Sequence, residues 1–226
     1  VSVAARTTRV LVALAVLAAL VTDAVESVQV GLLAQNVSYF TNQSTLMFVV
    51  LVTAGSALVP RRPPWREDVR GAVVFYLAMT GIIYALVIAP PQELLRWDIG
   101  WTGIVLHRLA PVVAVADWLL TPRTRAASPR RILLWQLYPL AFLVLTWARG
   151  AVTGWYPYDF LDPTVSSWPQ VLLTTAVMLL SFLVVASLLH LGGGLLRARA
   201  PAPPGADGSV HSGPERSTPP ASRLRG

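Results

Sequence analysis

Six long apolar stretches, at about residues 9–33, 37–59, 71–90, 100–120, 132–148 and 168–191, alternate with Arg-rich or Trp- and Pro-rich connections. Several reach the ~20 residues that a helix needs to cross ~30 Å of hydrocarbon. Lipid is therefore the expected solvent. In lipid every backbone group needs a partner within its own segment, so the stretches are expected to be helices. The expected fold class is all-α, a polytopic bundle of six transmembrane helices. Polar and charged residues inside such spans are costly and call for a reason.

Composition agrees. Hydrophobic residues make up 54% of the 226 positions and charged residues 13%, against ~25% charged in soluble domains. The mean hydropathy is +0.58. Residues 1–197 read as one transmembrane domain. Residues 198–226 are rich in Pro, Gly, Ser and Arg and bury too little apolar area to offset chain entropy, so a disordered basic cytoplasmic tail is expected. The chain has no cysteine, which excludes disulfides, zinc–thiolate sites and thiol catalysis. No motif calls for a cofactor or a metal ion.

A net charge of +7 could suggest nucleic acid, but the distribution of the arginines argues for topology instead. All 18 basic residues are Arg. Arg6 and Arg9 precede the first stretch. Arg61, Arg62, Arg66 and Arg70 lie between the second and third. Arg123, Arg125, Arg130 and Arg131 lie between the fourth and fifth. Arg197, Arg199, Arg216, Arg223 and Arg225 follow the sixth. The other side has only Arg96 and Arg149, with Arg108 inside the fourth stretch. The positive-inside rule then places both termini in the cytoplasm, and an even number of spans requires that they share a side. The basic clusters are also suited to anionic lipid, and no base-stacking or groove-reading module accompanies them. Trp97, Trp101, Trp147, Trp155 and Trp168 fall near the expected outer ends, and Trp65, Trp118 and Trp135 near the inner ends, as two interfacial belts.

The first stretch has some features of a signal peptide: Arg6 and Arg9, an apolar core over 10–21, and Thr22-Asp23-Ala24 as a cleavage region. Apolar character resumes over 28–34, which extends the segment to spanning length, so it is expected to stay as a span. The absence of Lys and the abundance of Ala, Arg, Val and Leu suggest a GC-rich bacterial genome. The expected location is the inner (plasma) membrane, with membrane lipid as the first partner.

Three prolines interrupt the spans. Pro111 lacks an N–H and deprives the His107 carbonyl of its helical partner; Pro139 does the same to Trp135. Pro169 falls in a first turn behind Ser166 and Ser167, where it is tolerated. His107 is the one histidine deep in a span, about six residues or ~9 Å in from Trp101. Two readings stand for it: a satisfied structural histidine, or a functional group loosened by Pro111 and followed by Arg108. Arg108 must face protein or reach the interface, and Asp23, Glu26, Asp98 and Asp159 are candidate partners. Asp117 is a poor partner for His107, because ten helical residues separate them by ~15 Å.

A second polar cluster opens the second stretch, over 38–45. Thr41, Ser44, Thr45 and Phe48 are spaced to share one helix face. One reading is a solvated helix start capped by Ser38. The other is a hydroxyl nucleophile, with Thr41 ~6 Å in, close to the depth of His107. An alcohol is protonated at neutral pH, so a Thr nucleophile needs a base, and a neutral imidazole supplies one. The N–H groups at the start of this helix would suit a developing oxyanion, with Asn42 or Ser44 as further donors. No GxSxG elbow, P-loop, HExxH or Rossmann fingerprint is present.

The outer connection, residues 149–168, carries Gly154-Trp155-Tyr156-Pro157-Tyr158-Asp159-Phe160. This is too aromatic for a flexible linker. It reads either as a lid sealing helix ends or as a lid that also meets a substrate headgroup through Tyr158 or Asp159.

Several runs together resemble the bacterial "Pr-six-Pr" membrane proteins. They are Tyr39-Phe40-Thr41-Asn42-Gln43-Ser44, then His107 with Pro111 and Asp117-Trp118, and then Tyr138-Pro139, Arg149-Gly150 and Gly154-Trp155-Tyr156-Pro157-Tyr158. The resemblance covers about residues 8–190. That family is distantly similar to the androgen-induced-gene / FAR-17a family of membrane threonine hydrolases, which cleave fatty-acid esters of hydroxy fatty acids. The resemblance implies Thr41 as nucleophile and His107 as base. Two functions are therefore carried forward. One is a membrane-embedded threonine hydrolase acting on lipid-like fatty-acyl esters, with Asn42, Ser44, Arg108, Tyr158 and Asp159 as substrate-binding candidates. The other is a non-enzymatic bundle: a lipid or small-molecule carrier, a proton relay or an assembly subunit.

Overall fold

The computed structural model describes residues 3–57, 65–93, 100–121 and 128–198. Every element among them is helical. Five helices are long and apolar enough to cross a membrane: Val3–Gln29, Trp65–Ile88, Trp101–Leu120, Pro129–Thr153 and Trp168–Gly192. These mark the chain as an integral membrane protein. The helix expected over 37–59 is shorter, with its apolar part at Phe40–Ala54. We label the helices α1 (Val3–Gln29), α2 (Phe40–Ala57), α3 (Trp65–Ile88), α4 (Trp101–Leu120), α5 (Pro129–Thr153) and α6 (Trp168–Ala198). The tail beyond Ala198 lies outside the described residues, as do Arg61, Arg62, Arg96, Trp97, Asp98, Arg123 and Arg125.

The boundaries shift for local reasons. Gly31 at φ +71° ends α1 before the expected limit, since only glycine enters the left-handed region without penalty. A short turn at Leu33–Asn36 follows, so α2 starts at Phe40. α3 starts at Trp65, six residues early, because Glu67 and Asp68 fall in its first turn, where carboxylates favour the positive helix end. α5 is interrupted at Gln136, whose N–H turns back to Leu133 O at 3.0 Å. This is the adjustment that Pro139 demands three residues later.

α3 is the axis of the bundle. Half of its most apolar window is buried, against 22–28% in the other four long helices. Residues 73–80 are buried on every face, so this helix is enclosed by protein where the others meet lipid. α6 shows the opposite pattern. Val171, Thr175, Phe182, Ala186 and Leu189 are buried at three- and four-residue spacing, while Leu172, Leu173, Val177, Leu180 and Val184 are exposed. One stripe packs on α3 and α4 and the rest suits hydrocarbon. α2 packs between α1 and α3, and it meets α4 near His107.

One end of the bundle is tied by charge. Arg9 Nε donates to Asp117 Oδ1 at 2.8 Å, and Arg70 Nη2 to Asp117 Oδ2 at 3.1 Å. Arg9 thus lies within α1 rather than ahead of it, and Asp117 joins α1, α3 and α4. Trp118 beside it donates its indole N–H to Leu189 O at 2.9 Å, adding α6.

Candidate active site

Thr41 sits in the first turn of α2 and is 7% exposed. Its hydroxyl lies 3.4 Å from His107 Nε2. The other imidazole nitrogen, Nδ1, lies 3.3 Å from Gly103 O. A carbonyl only accepts, so Nδ1 carries the proton and Nε2 presents a lone pair to the Thr41 hydroxyl. A hydroxyl–imidazole contact at this longer separation is common when no substrate is bound.

Two widened turns build this arrangement. Residues Val105–Leu109 are π-helical, with the Ala110 N–H returning to Val105 O. The widening precedes Pro111 and adjusts the backbone that the proline cannot pair. Residues Tyr84–Ile88 form a second π-turn at the end of α3. Tyr84 from one turn stacks on His107 from the other, with ring centroids 4.2 Å apart. The Tyr84 hydroxyl donates to Glu93 Oε2 at 3.2 Å, and Arg108 Nη2 donates to Glu93 O at 2.5 Å. The two spans approach closely here because Gly81 has no side chain. A Cβ on Gly81 would meet the Pro111 ring at 3.0 Å and the His107 carbonyl at 3.4 Å.

Beyond Thr41 lies an apolar cavity of about 40 Å³ between α2, α3, α5 and α6. Ile83, Phe142, Met178 and Phe182 form much of its wall, with Thr41, Thr80 and Tyr158 as its hydroxyl-bearing residues. The connection after α5 closes it: Tyr158, Phe160 and Leu161 all line the cavity. Tyr158 and Phe160 stack at 5.1 Å. The Tyr158 oxygen accepts from the Phe40 N–H at 3.1 Å, and Thr41 also bonds to it. Burial pushes this phenol up to about 12, with the Phe40 and Thr41 groups opposing the shift. It is therefore a neutral group with a proton to donate.

The other candidates divide. Ser44 is fully buried; its hydroxyl lies 3.1 Å from Thr41 O and 3.0 Å from Thr80 Oγ1. Asn42 Nδ2 donates to Asn36 O and Oδ1 at 2.8 and 3.0 Å. Both brace the turn that carries Thr41. Arg108 lies on the same π-turn as His107, with Glu93 as a neighbour that the sequence reading lacked. Asp159 is exposed and is not part of the cavity wall. Ser38 does not cap α2. Its hydroxyl donates to Ala34 O at 2.5 Å and accepts from Arg149, and the Tyr158 phenol takes the place at the Phe40 N–H. Tyr84 and Glu93 flank Pro90 and Pro91, and their spacing carries no signal until the chain folds back. No family model, curated protein or solved structure matches the chain.

Proposed function

We propose that the protein is a membrane-embedded threonine hydrolase for lipid-like fatty-acyl esters. The observation that carries this reading is the Thr41 hydroxyl facing the unprotonated nitrogen of His107 at the end of an apolar cavity. The resemblance to the "Pr-six-Pr" proteins and their threonine-hydrolase relatives supports it.

In this reading the lining residues of the small cavity spread to admit the acyl chain, and the ester carbonyl sits beside Thr41. His107 Nε2 takes the hydroxyl proton as Oγ1 attacks the carbonyl carbon. The oxyanion forms near the start of α2, within reach of the Tyr158 O–H. Collapse breaks the ester C–O bond. The alcohol leaves with the proton from His107, and the acyl group stays on Thr41. Water, deprotonated by His107, then attacks the acyl-threonine and releases the fatty acid, restoring both groups.

The bundle is proposed to cross the membrane six times with both termini cytoplasmic, α2 being the short span. The Thr41 end then faces outward. A fluorophosphonate probe for serine and threonine hydrolases tests the chemistry. The wild-type protein is expected to label and to hydrolyse a panel of fatty-acyl esters. Thr41→Ala, His107→Ala and the double variant are expected to lose activity to the same extent, because the two groups act as a unit. Undiminished hydrolysis by Thr41→Ala would refute the mechanism. No hydrolysis by the wild type on a broad panel would favour the carrier or subunit alternative.

A further inference from the structure

Arg149 differs from the arginines that find acceptors for their charge inside the bundle. Arg9 and Arg70 reach Asp117, Arg131 reaches Asp68 at 3.1 Å and Arg108 reaches the Glu93 carbonyl. Arg149, near the end of α5, gives Nη1 to the Ser38 hydroxyl. Its Nε and Nη2 are buried and have no acceptor among the described residues, and no carboxylate there pairs with it. A guanidinium edge buried without an acceptor is expensive to keep, and an anion with matching acceptors offsets that cost.

The free edge has a definite shape. Nε–H and the adjacent Nη2–H point the same way in one plane, which is the side-on fork that grips two oxygens of a carboxylate or phosphate. The plane is held from one face by the Trp155 indole, 4.5 Å from the guanidinium carbon. Next door, Tyr156 seats its ring on Gly150 so closely that a Cβ there would collide with it. Trp155 and Tyr156 thus pack against Arg149 and Gly150, while the guanidinium edge is left without a partner.

This edge is linked to the Thr41 cavity by contact. Ser38 bonds Arg149, and Tyr39 packs edge-on against both Trp155 and Tyr158, at 5.9 and 5.7 Å. Tyr158 lines the cavity and bonds the start of α2. An amphiphile that spreads this packing would place its chain among Phe142, Met178 and Phe182 and its head toward Arg149.

We propose that Arg149 receives the oxyanion headgroup, carboxylate or phosphate, of an acyl-chain ligand of the Thr41 cavity. The proposal rests on the cavity reading of the proposed function and names its substrate class, but it needs binding alone and no turnover. The test uses the full chain in neutral detergent, in a Thr41→Ala background that removes hydrolysis from the measurement. Radiolabelled oleate is the probe, competed with oleyl alcohol and with oleoyl lysophosphatidate. At least one anion is expected to bind about tenfold or more tightly than the alcohol, and the better of the two identifies carboxylate or phosphate as the natural head. Adding Arg149→Gln is expected to erase that preference and leave alcohol binding in place. Adding Arg149→Lys keeps a point charge without the fork and is expected to weaken the carboxylate more than the phosphate. This variant decides the matter if the Gln variant does not fold. Equal binding of anions and alcohol, or a preference that survives Arg149→Gln, overturns the proposal. Absence of ester hydrolysis in the wild type with the anion preference intact would sink the hydrolase reading alone.

Discussion

The ring of Tyr84 lies nearly flat on that of His107, with an interplanar angle of 24°. The contact holds the imidazole from the side away from any hydrogen bond, and its own hydroxyl is anchored on Glu93. Aromatic pairs of this kind contribute about 0.5–1.5 kcal/mol beyond simple burial. Tyr84→Ala is therefore expected to slow probe labelling about three- to tenfold. Tyr84→Phe keeps the ring and is expected to stay close to wild type. Equal losses in both variants would place the effect in the Glu93 bond instead.

Tyr158→Phe isolates a single hydroxyl. The ring can still stack on Phe160, but the oxygen at the Phe40 N–H is gone. If that O–H meets the developing oxyanion, kcat should fall about a hundredfold with little change in KM. A change confined to KM would return Tyr158 to the role of a lid residue that contacts substrate.

Gly81 is a packing test. Alanine there needs the Pro111 ring, 3.0 Å from the new Cβ, to give way, and overpacking of this kind costs about 1–3 kcal/mol. Gly81→Ala is expected to lower the melting temperature and also the labelling rate of the protein that remains folded, since the displaced turn carries His107. Gly81→Leu should abolish folding.

Asp117→Asn should separate stability from chemistry. It weakens the tie between Arg9 and Arg70 at the far end of the bundle, a loss of about 2 kcal/mol for charge-assisted hydrogen bonds that are partly exposed to solvent. A lower melting temperature with an unchanged labelling rate per folded molecule is expected. A matching drop in that rate would show that the two ends are coupled.

Sidedness is open to a direct check, because the chain has no native cysteine to confuse it. Ser128 and Gly154 flank α5, whose 25 residues extend about 37 Å. In intact cells an impermeant maleimide is expected to label Gly154→Cys, and Ser128→Cys only after permeabilisation. The opposite pattern would invert the proposed orientation.

The helices were legible in the sequence because apolar length is a local property. Even so, the sequence reading missed the break at Gly31 that ends α1 early, since Val28, Val30, Leu32 and Leu33 on either side are apolar. Thr41 and His107 could be set at similar depth by counting residues from the ends of their spans, and the structure puts them 3.4 Å apart. What counting could not supply was the company they keep. Glu93 and Tyr84 reach the site only because α3 ends in a widened turn. Tyr158 reaches it only because the connection after α5 folds back over α2. Ser38 looks like a helix cap in sequence, and its hydroxyl is instead engaged by an arginine more than a hundred residues away.

The π-turn at Val105–Leu109 amounts to one residue inserted into an otherwise regular span. Each residue of a helix advances the phase by about 100°. The turn therefore divides α4 into two halves with separately adjustable phase. The half beyond Pro111 is clamped through Asp117 and Trp118, while the half bearing His107 is aimed by the bulge and steadied by Tyr84 and Glu93. Gain or loss of a single residue there would swing a different side chain toward Thr41 and leave the clamp undisturbed. A bundle built this way could exchange its chemistry by a one-codon change in register, without redesigning its core.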